Sequence, residues 1–292
     1  MNQLRLSGVW AAVLTPVTIG LEPDAAKAAL YYGDLLQGGC DGLNILGTTG
    51  EAMSFSVKQR LQFMEGIAGT GLPMDRVMVG TGAASLDDAC TLTRKAAELG
   101  FAAVLVMPPF FYRDAGDDGI LRFYDALLTK SHVSCLLLYN FPRMSGITFR
   151  SALVAQLLDE FAHCIVGMKD SSNDRELQRA LVEAHPGFAV FAGSEHSLLD
   201  ATGAGAVGCI SGSVCLWPKL AGDVLRTRDA ALGRRLTALR EALDGPPLIT
   251  AVRYLVAQAR NEDVWEQPMP PLVPLASEKR STIDAALKPL QR

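Results

Sequence analysis

The 292-residue chain lacks any run of about five or six like charges. Its 27 Lys+Arg stand against 31 Asp+Glu, a formal net charge of −4. A nucleic-acid partner would call for a basic stripe, so none is expected. No apolar stretch reaches the roughly 18 residues that a membrane-spanning helix needs. The longest, Ala102 to Tyr112, is broken by Pro108 and Pro109. The N-terminal MNQLRLSGVW has no basic segment followed by a long apolar one, so no secretory signal is expected and the cytoplasm is the expected compartment. Six cysteines (Cys40, Cys90, Cys135, Cys164, Cys209, Cys215) form no CxxC pair and sit mostly in apolar runs, which predicts buried free thiols. The four histidines show neither HxH nor HExxH spacing, so no metal site is expected. No GxxxxGK[ST] motif is present, so phosphoryl transfer lacks its phosphate cradle, and no cofactor is expected.

What is present is a regular alternation. Hydrophobic residues make up 49% of the chain, enough for a full core and too many for a disordered one. Eight short apolar runs end in Gly, Thr, Asn or Pro: Val9–Thr18, Gly42–Gly47, Arg76–Thr81, Ala102–Pro108, Val133–Asn140, Ile165–Asp170, Phe188–Gly193 and Gly208–Ser213. Helical periodicity fills the gaps. Helices are predicted after Pro23, from Ser56 (where Ser56 and Gln59 have capping-box spacing), and over Leu86–Leu99, Asp117–Lys130, Arg150–Asp159, Asp174–His185 and Glu195–Thr202. Unbroken apolar strands between helices predict a parallel sheet buried on both faces. Eight such units predict an α/β fold of the (β/α)8 TIM barrel type over residues 1–217. Residues 218–292 are predicted to form a C-terminal helical extension packed on the barrel, with helices over Lys219–Asp244, Pro247–Arg260 and Ile283–Leu290.

Two glycine patterns imitate nucleotide motifs. Gly203-Ala-Gly-Ala-Val-Gly208 matches GxGxxG, but a helix precedes it and a strand follows. The dinucleotide fingerprint needs the reverse order, so a tight helix-to-strand turn is predicted. In Gly80-Thr-Gly-Ala-Ala-Ser85 the last position is a serine suited to capping the next helix.

Reactive groups of a β/α barrel sit at the C-terminal strand ends. Three of these ends carry more than small or apolar residues. The sixth strand ends in Lys169-Asp170-Ser171-Ser172. Burial lowers a lysine pKa because the charged form loses more hydration, and a neutral amine can attack a ketone to form a Schiff base. Alternatively, Lys169 pairs with Asp170 or extends to the rim. The fifth strand ends in Tyr139, one strand away, where a phenol could relay protons or simply close the core. The second ends in Gly47-Thr48-Thr49-Gly50-Glu51. Its glycines could turn backbone N–H groups inward as a carboxylate nest, with the threonine hydroxyls as further donors, or merely end the strand. A nest, a phenol and a lysine in one cavity are together best explained by chemistry on a keto acid.

Gly47-Thr-Thr-Gly-Glu51, Tyr139-Asn-Phe-Pro142 with Gly146, and Gly167-Met-Lys169-Asp together resemble the dihydrodipicolinate synthase / N-acetylneuraminate lyase family of pyruvate-dependent class I aldolases. The resemblance runs from Gly8 to the C-terminal helices. It implies that Lys169 forms the Schiff base with pyruvate or another 2-oxo acid and that Tyr139 shuttles the proton. It implies that Thr49, with the adjacent Gly50, holds the carboxylate and that Thr48 links to Tyr139 in a hydroxyl relay. Gly193 and Ile210 would line the pyruvate pocket. The family relay often includes a second tyrosine donated across a subunit interface. Counting back from Gly119 matches it to Tyr112, and counting forward from the prolines matches Phe111. A homo-oligomer, dimer or tetramer, is implied. Where the synthases carry an arginine for the aldehyde carboxylate this chain has Met144, with Arg143 one residue earlier as a candidate substitute. Asp170-Ser-Ser after the lysine is closer to lyases and dehydratases of 2-keto-3-deoxy sugar acids. The implied activity is a Schiff-base lyase or aldolase on pyruvate or a 2-keto-3-deoxy acid. Three alternatives stay open: dihydrodipicolinate synthase proper, a 2-keto-3-deoxy sugar acid dehydratase, and a non-catalytic keto-acid-binding protein.

Overall fold

The computed structural model describes residues 6–290. Eight parallel strands close into a barrel in sequence order. They are β1 (Gly8–Ala12), β2 (Gly42–Ile45), β3 (Val77–Gly80), β4 (Ala103–Val106), β5 (Leu136–Asn140), β6 (Ile165–Asp170), β7 (Ala189–Ala192) and β8 (Gly208–Ser211). Each lies within its apolar run except β1, which starts one residue earlier at Gly8, and most runs continue past the strand into a buried loop. The runs are unbroken because alternate residues serve two cores. Val9, Leu43, Val77, Val104 and Leu136 face the helices. Trp10, Met78, Leu105, Leu137, Tyr139 and Phe191 fill the barrel interior.

Helix ends follow the local chemistry. Ser56 and Gln59 form a capping box, and Ser85 caps the helix Leu86–Glu98 by accepting from the Asp88 N–H. Gly100, at φ +76°, turns the chain away from that helix. The stretch Gly203–Gly208 is the helix-to-strand turn expected, leading from the helix Leu198–Gly203 into β8. The C-terminal reading needs two corrections, the smaller being that the last helix runs over Ser277–Leu287 instead of starting at Ile283. The segment Lys219–Asp244 is two helices, Pro218–Thr227 and Ala230–Glu241. Arg228 adopts a left-handed conformation between them, and the Asp229 carboxylate caps the second by accepting from the Ala231 and Leu232 N–H groups. The first of the two packs on β1 through Ala221 and Val224, both fully buried. Beyond it, Leu239, Leu243, Tyr254, Ile283 and Leu287 build a small core of their own.

The barrel closes where β1 meets β8, with Gly8 opposite Gly208. A Cβ on Gly208 would lie 1.9 Å from the Gly8 carbonyl oxygen. That obstacle is backbone and cannot rotate away. Gly208→Ala is therefore expected to destabilise the protein by at least about 3 kcal/mol in urea unfolding. A loss under about 0.5 kcal/mol would show that the seam has slack.

Candidate active site

Lys169 and Tyr139 are register partners on β6 and β5 and both point into the barrel, 5% and 4% exposed. The Lys169 Nζ lies 4.5 Å from the centroid of the Tyr139 ring. Strand alternation sends the neighbouring Asp170 the other way. Its carboxylate accepts from Asn140 Nδ2 at 2.7 Å, Gln178 Nε2 at 2.6 Å and Ser172 Oγ at 2.7 Å. Among the described residues no ion pair involves Lys169. The alternative in which Asp170 neutralises the lysine is thereby set aside. Asn140, which sequence reasoning passed over, also accepts the Phe149 N–H, so it ties β5, β6 and the following loop together.

The Tyr139 hydroxyl is 3.3 Å from Thr48 Oγ1. Thr48 belongs to the loop after β2, whose glycines do something other than expected. Neither Gly47 nor Gly50 is left-handed; Leu46 and Glu51 are, at φ +49° and +54°. The glycines are there because the loop is crowded. A Cβ on Gly47 would meet Asn44 Nδ2 at 2.6 Å, and one on Gly50 would sit 3.1 Å from Thr15 Oγ1 and the Val13 carbonyl. Thr49 is buried against the end of β8, its hydroxyl only 2.6 Å from where a Gly212 Cβ would be. Ile210 shares the interior cluster with Tyr139. Gly193 donates its N–H to the Asp170 carbonyl at 2.7 Å, and a Cβ there would overlap Ser171 Oγ. It holds the end of β7 against the lysine-bearing strand end.

One buried ion pair anchors the Thr48 loop. Arg253, on the helix Leu248–Arg260, donates Nε to Glu51 Oε1 at 2.6 Å, Nη1 to the Trp265 carbonyl and Nη2 to the Thr15 carbonyl. The second Glu51 oxygen accepts the Met269 N–H at 2.7 Å. Burial pushes the Arg253 guanidinium down, while Glu51 pulls it back up. On the far side Arg60 donates to the Gly80 and Gly82 carbonyls and steadies the end of β3, its own pKa pushed down by burial to about 10.

Gly47, Thr48 and Tyr139 form one wall of a cavity of about 400 Å³ at the barrel mouth. Phe110, Met144, Ile249 and Leu272 line it as well. Arg143 and Met144 lie on a short helix, Pro142–Ser145, that ends at left-handed Gly146. Met144 faces the cavity, whereas Arg143 is exposed and outside its lining. Phe111 and Tyr112 are not brought to the site of their own chain: they are 74% and 75% exposed and pack edge to face with each other. Sequence reasoning missed Phe110, Ile249 and Leu272. Phe110 directly follows the prolines that end the β4 run, a readable signal, while the other two approach only through the folding of the extension.

The whole chain resembles known proteins in the same way. Residues 5–290 match the Dihydrodipicolinate synthetase family. The chain belongs to this family. It is a lyase of the aldolase type, like its relatives. A DapA-like lyase of Chloroflexus aurantiacus is 33% identical over 96% of this chain and 95% of its own. The crystal structure of dihydrodipicolinate synthase from Agrobacterium tumefaciens superimposes with a TM-score of 0.92 at 27% identity, covering 98% of this chain and all 100% of that one. That of the Acinetobacter baumannii synthase complexed with pyruvate gives 0.86 at 27% identity, covering 98% and 99%. Within this family fold, Glu51 and Arg253 fasten the Thr48 loop to the extension. Arg253→Met would strand the Glu51 carboxylate in the interior and is expected to cost roughly 3–5 kcal/mol of stability in urea unfolding. Arg226→Ala, which removes only an exposed pair with Asp223, is expected to change stability by less than about 1 kcal/mol.

Proposed function

We propose that this family member is a Schiff-base lyase or aldolase whose nucleophile is Lys169 and whose first substrate is pyruvate or another 2-oxo acid. The observation that carries the reading is a buried amine over the face of Tyr139, with the neighbouring carboxylate of Asp170 held elsewhere. The Lys169 amine attacks the C2 carbonyl, water leaves, and an iminium forms. The iminium withdraws electrons from C3, so loss of a C3 proton, relayed through the Tyr139 hydroxyl to Thr48 and on to solvent, gives an enamine. Tyr139 is held for this by its contact with Thr48. Thr49 and the backbone at Gly50 would receive the carboxylate, beside Gly193 and Ile210. In the synthetic direction C3 of the enamine bonds to an aldehyde carbon and the aldehyde oxygen takes a proton. Water then hydrolyses the iminium, which restores the amine and releases a 4-hydroxy-2-oxo acid. Cleavage is the reverse; dehydration would start from the same iminium of the 4-hydroxy-2-oxo acid, lose its C3 proton and expel the C4 hydroxyl as water.

Pyruvate is supported by the complex of the Acinetobacter enzyme with that acid. Dihydrodipicolinate synthesis proper is not the reading favoured. The residue facing the cavity where the synthases are expected to carry an arginine is Met144, and Arg143 is outside the lining. A thioether cannot replace a bidentate guanidinium. We further propose a homo-oligomer, a dimer or a tetramer, in which Tyr112 of one subunit joins the relay of another. The exposed aromatic pair Phe111 and Tyr112, on the loop that also carries Phe110 into the cavity wall, supports it. A cytoplasmic setting is supported by six free thiols, and among the described residues no helix is long and apolar enough to cross a membrane.

Incubation with pyruvate and borohydride, followed by peptide mapping, is expected to find the adduct on Lys169; an unmodified Lys169 would sink the mechanism. Lys169→Ala is expected to abolish turnover while the fold persists. Tyr139→Phe is expected to lower kcat by about 100-fold or more with pyruvate adduct formation retained. Tyr112→Phe should lower kcat as well if that tyrosine serves the relay, and an unchanged rate would remove it from the mechanism.

A further inference from the structure

We infer that the carbonyl partner joined to, or released from, the Lys169-bound 2-oxo acid is an apolar aldehyde, aliphatic or aromatic, carrying neither a carboxylate nor a chain of hydroxyls. The inference rests on the Schiff-base reading and narrows it. Tyr139 and Thr48 belong both to the lysine end of the site and to the 400 Å³ cavity, so the cavity is where a partner meets the enamine. Its volume lies within the range of small-ligand pockets.

The chemistry of its walls is one-sided. Apolar side chains make up most of the lining, among them Met53, Met107, Phe110, Met144, Ile249 and Leu272. No lysine, arginine or histidine is among the described lining residues, and the one charged side chain there is Glu51. That carboxylate is already taken by Arg253 and the Met269 N–H. A carboxylate on the aldehyde would lose its water and find no cation, and it would share the cavity with a like charge. A polyhydroxylated aldehyde fares little better. Thr48 and Tyr139 are engaged with each other, which leaves Ser54 as the remaining side-chain hydroxyl. Unpaired hydroxyls in such a wall oppose binding. An alkyl or aryl group, by contrast, gains from leaving water. Three methionines in one wall add adaptability, since the unbranched thioether repacks around differing shapes. The cavity should therefore accept a range of apolar aldehydes and discriminate by polarity more than by outline.

The test uses the full-length protein in two arms. Borohydride trapping with pyruvate alone reports the Schiff base independently of any second substrate. In the other arm pyruvate is supplied with benzaldehyde, hexanal, succinic semialdehyde or glyceraldehyde, and the 4-hydroxy-2-oxo acid products are quantified by mass spectrometry. Benzaldehyde or hexanal is expected to exceed the two polar aldehydes by about 100-fold or more in kcat/KM. With the Lys169 adduct present, equal or better use of succinic semialdehyde or glyceraldehyde overturns the inference and leaves the Schiff-base reading standing, as does the absence of product from every aldehyde. Absence of the adduct overturns both. Met144→Arg, on a partly exposed position, is expected to shift the ratio of succinic semialdehyde to benzaldehyde use by at least about tenfold toward the acid; an unmoved ratio counts against an apolar partner site at Met144.

Discussion

The buried pair between Glu51 and Arg253 is the contact on which the mouth of this barrel depends. Both side chains are almost completely removed from water, at 1% and 0% exposure. Two charges placed so deep are tolerated only when their remaining valences are met. Here they are: Arg253 also donates to the Thr15 and Trp265 carbonyls, and Glu51 also accepts the Met269 N–H. The partners come from the loop after β1, the loop after β2 and two stretches of the extension. One ion pair therefore fixes four segments of chain, and it can form only when the extension sits on the barrel. It also explains the left-handed backbone at Glu51, a conformation that costs a non-glycine residue about 1 kcal/mol or more. The side chain is repaid in contacts that no other orientation of the loop would make.

From that anchorage the chemistry of the cavity follows. The Thr48 hydroxyl can meet Tyr139 because the loop carrying it is held from behind. Ile249 and Leu272 can line the mouth because Arg253 and Met269, their near neighbours in the chain, are already tied to Glu51. In the proposed function the half of the site that would meet the 2-oxo acid is built from strand ends, and the half that would meet its partner from loops and the extension. Substitution in the second half would then change the substrate without disturbing the lysine, the phenol or the barrel.

The barrel was legible in the sequence for a physical reason. Eight strands buried on both faces must be unbroken apolar runs, and each run is separated from the next by helical periodicity and a capping residue such as Ser56 or Ser85. Lys169, Tyr139 and Thr48 were legible because they break those runs at one end. Less was readable where tertiary contact decides. The interruption at Arg228 is unmarked by glycine or proline, because the helix Pro218–Thr227 is bound to β1 while the next is bound elsewhere. The glycines of the Thr48 loop look like turn residues in the sequence and prove to be close-approach residues. Ile249 and Leu272 are ordinary apolar residues until the extension folds over the mouth.

The contrast between Lys169 and Asp170 shows how neighbouring residues can be given opposite electrostatic fates by strand geometry alone. Adjacent in sequence, they point to opposite faces of β6. The carboxylate is drawn outward into Asn140, Gln178 and Ser172, where its charge orders the strand end and the turn that follows. The amine is left inside with an aromatic face and no countercharge within ion-pair distance among the described residues. Had the two faced the same way, the lysine would have been held in an ion pair at its own strand end. The Asp170 network thus keeps a negative charge close in sequence and remote in space. It holds the lysine-bearing strand end in place while leaving the nitrogen free of an ion pair among the described residues, as the proposed covalent chemistry requires.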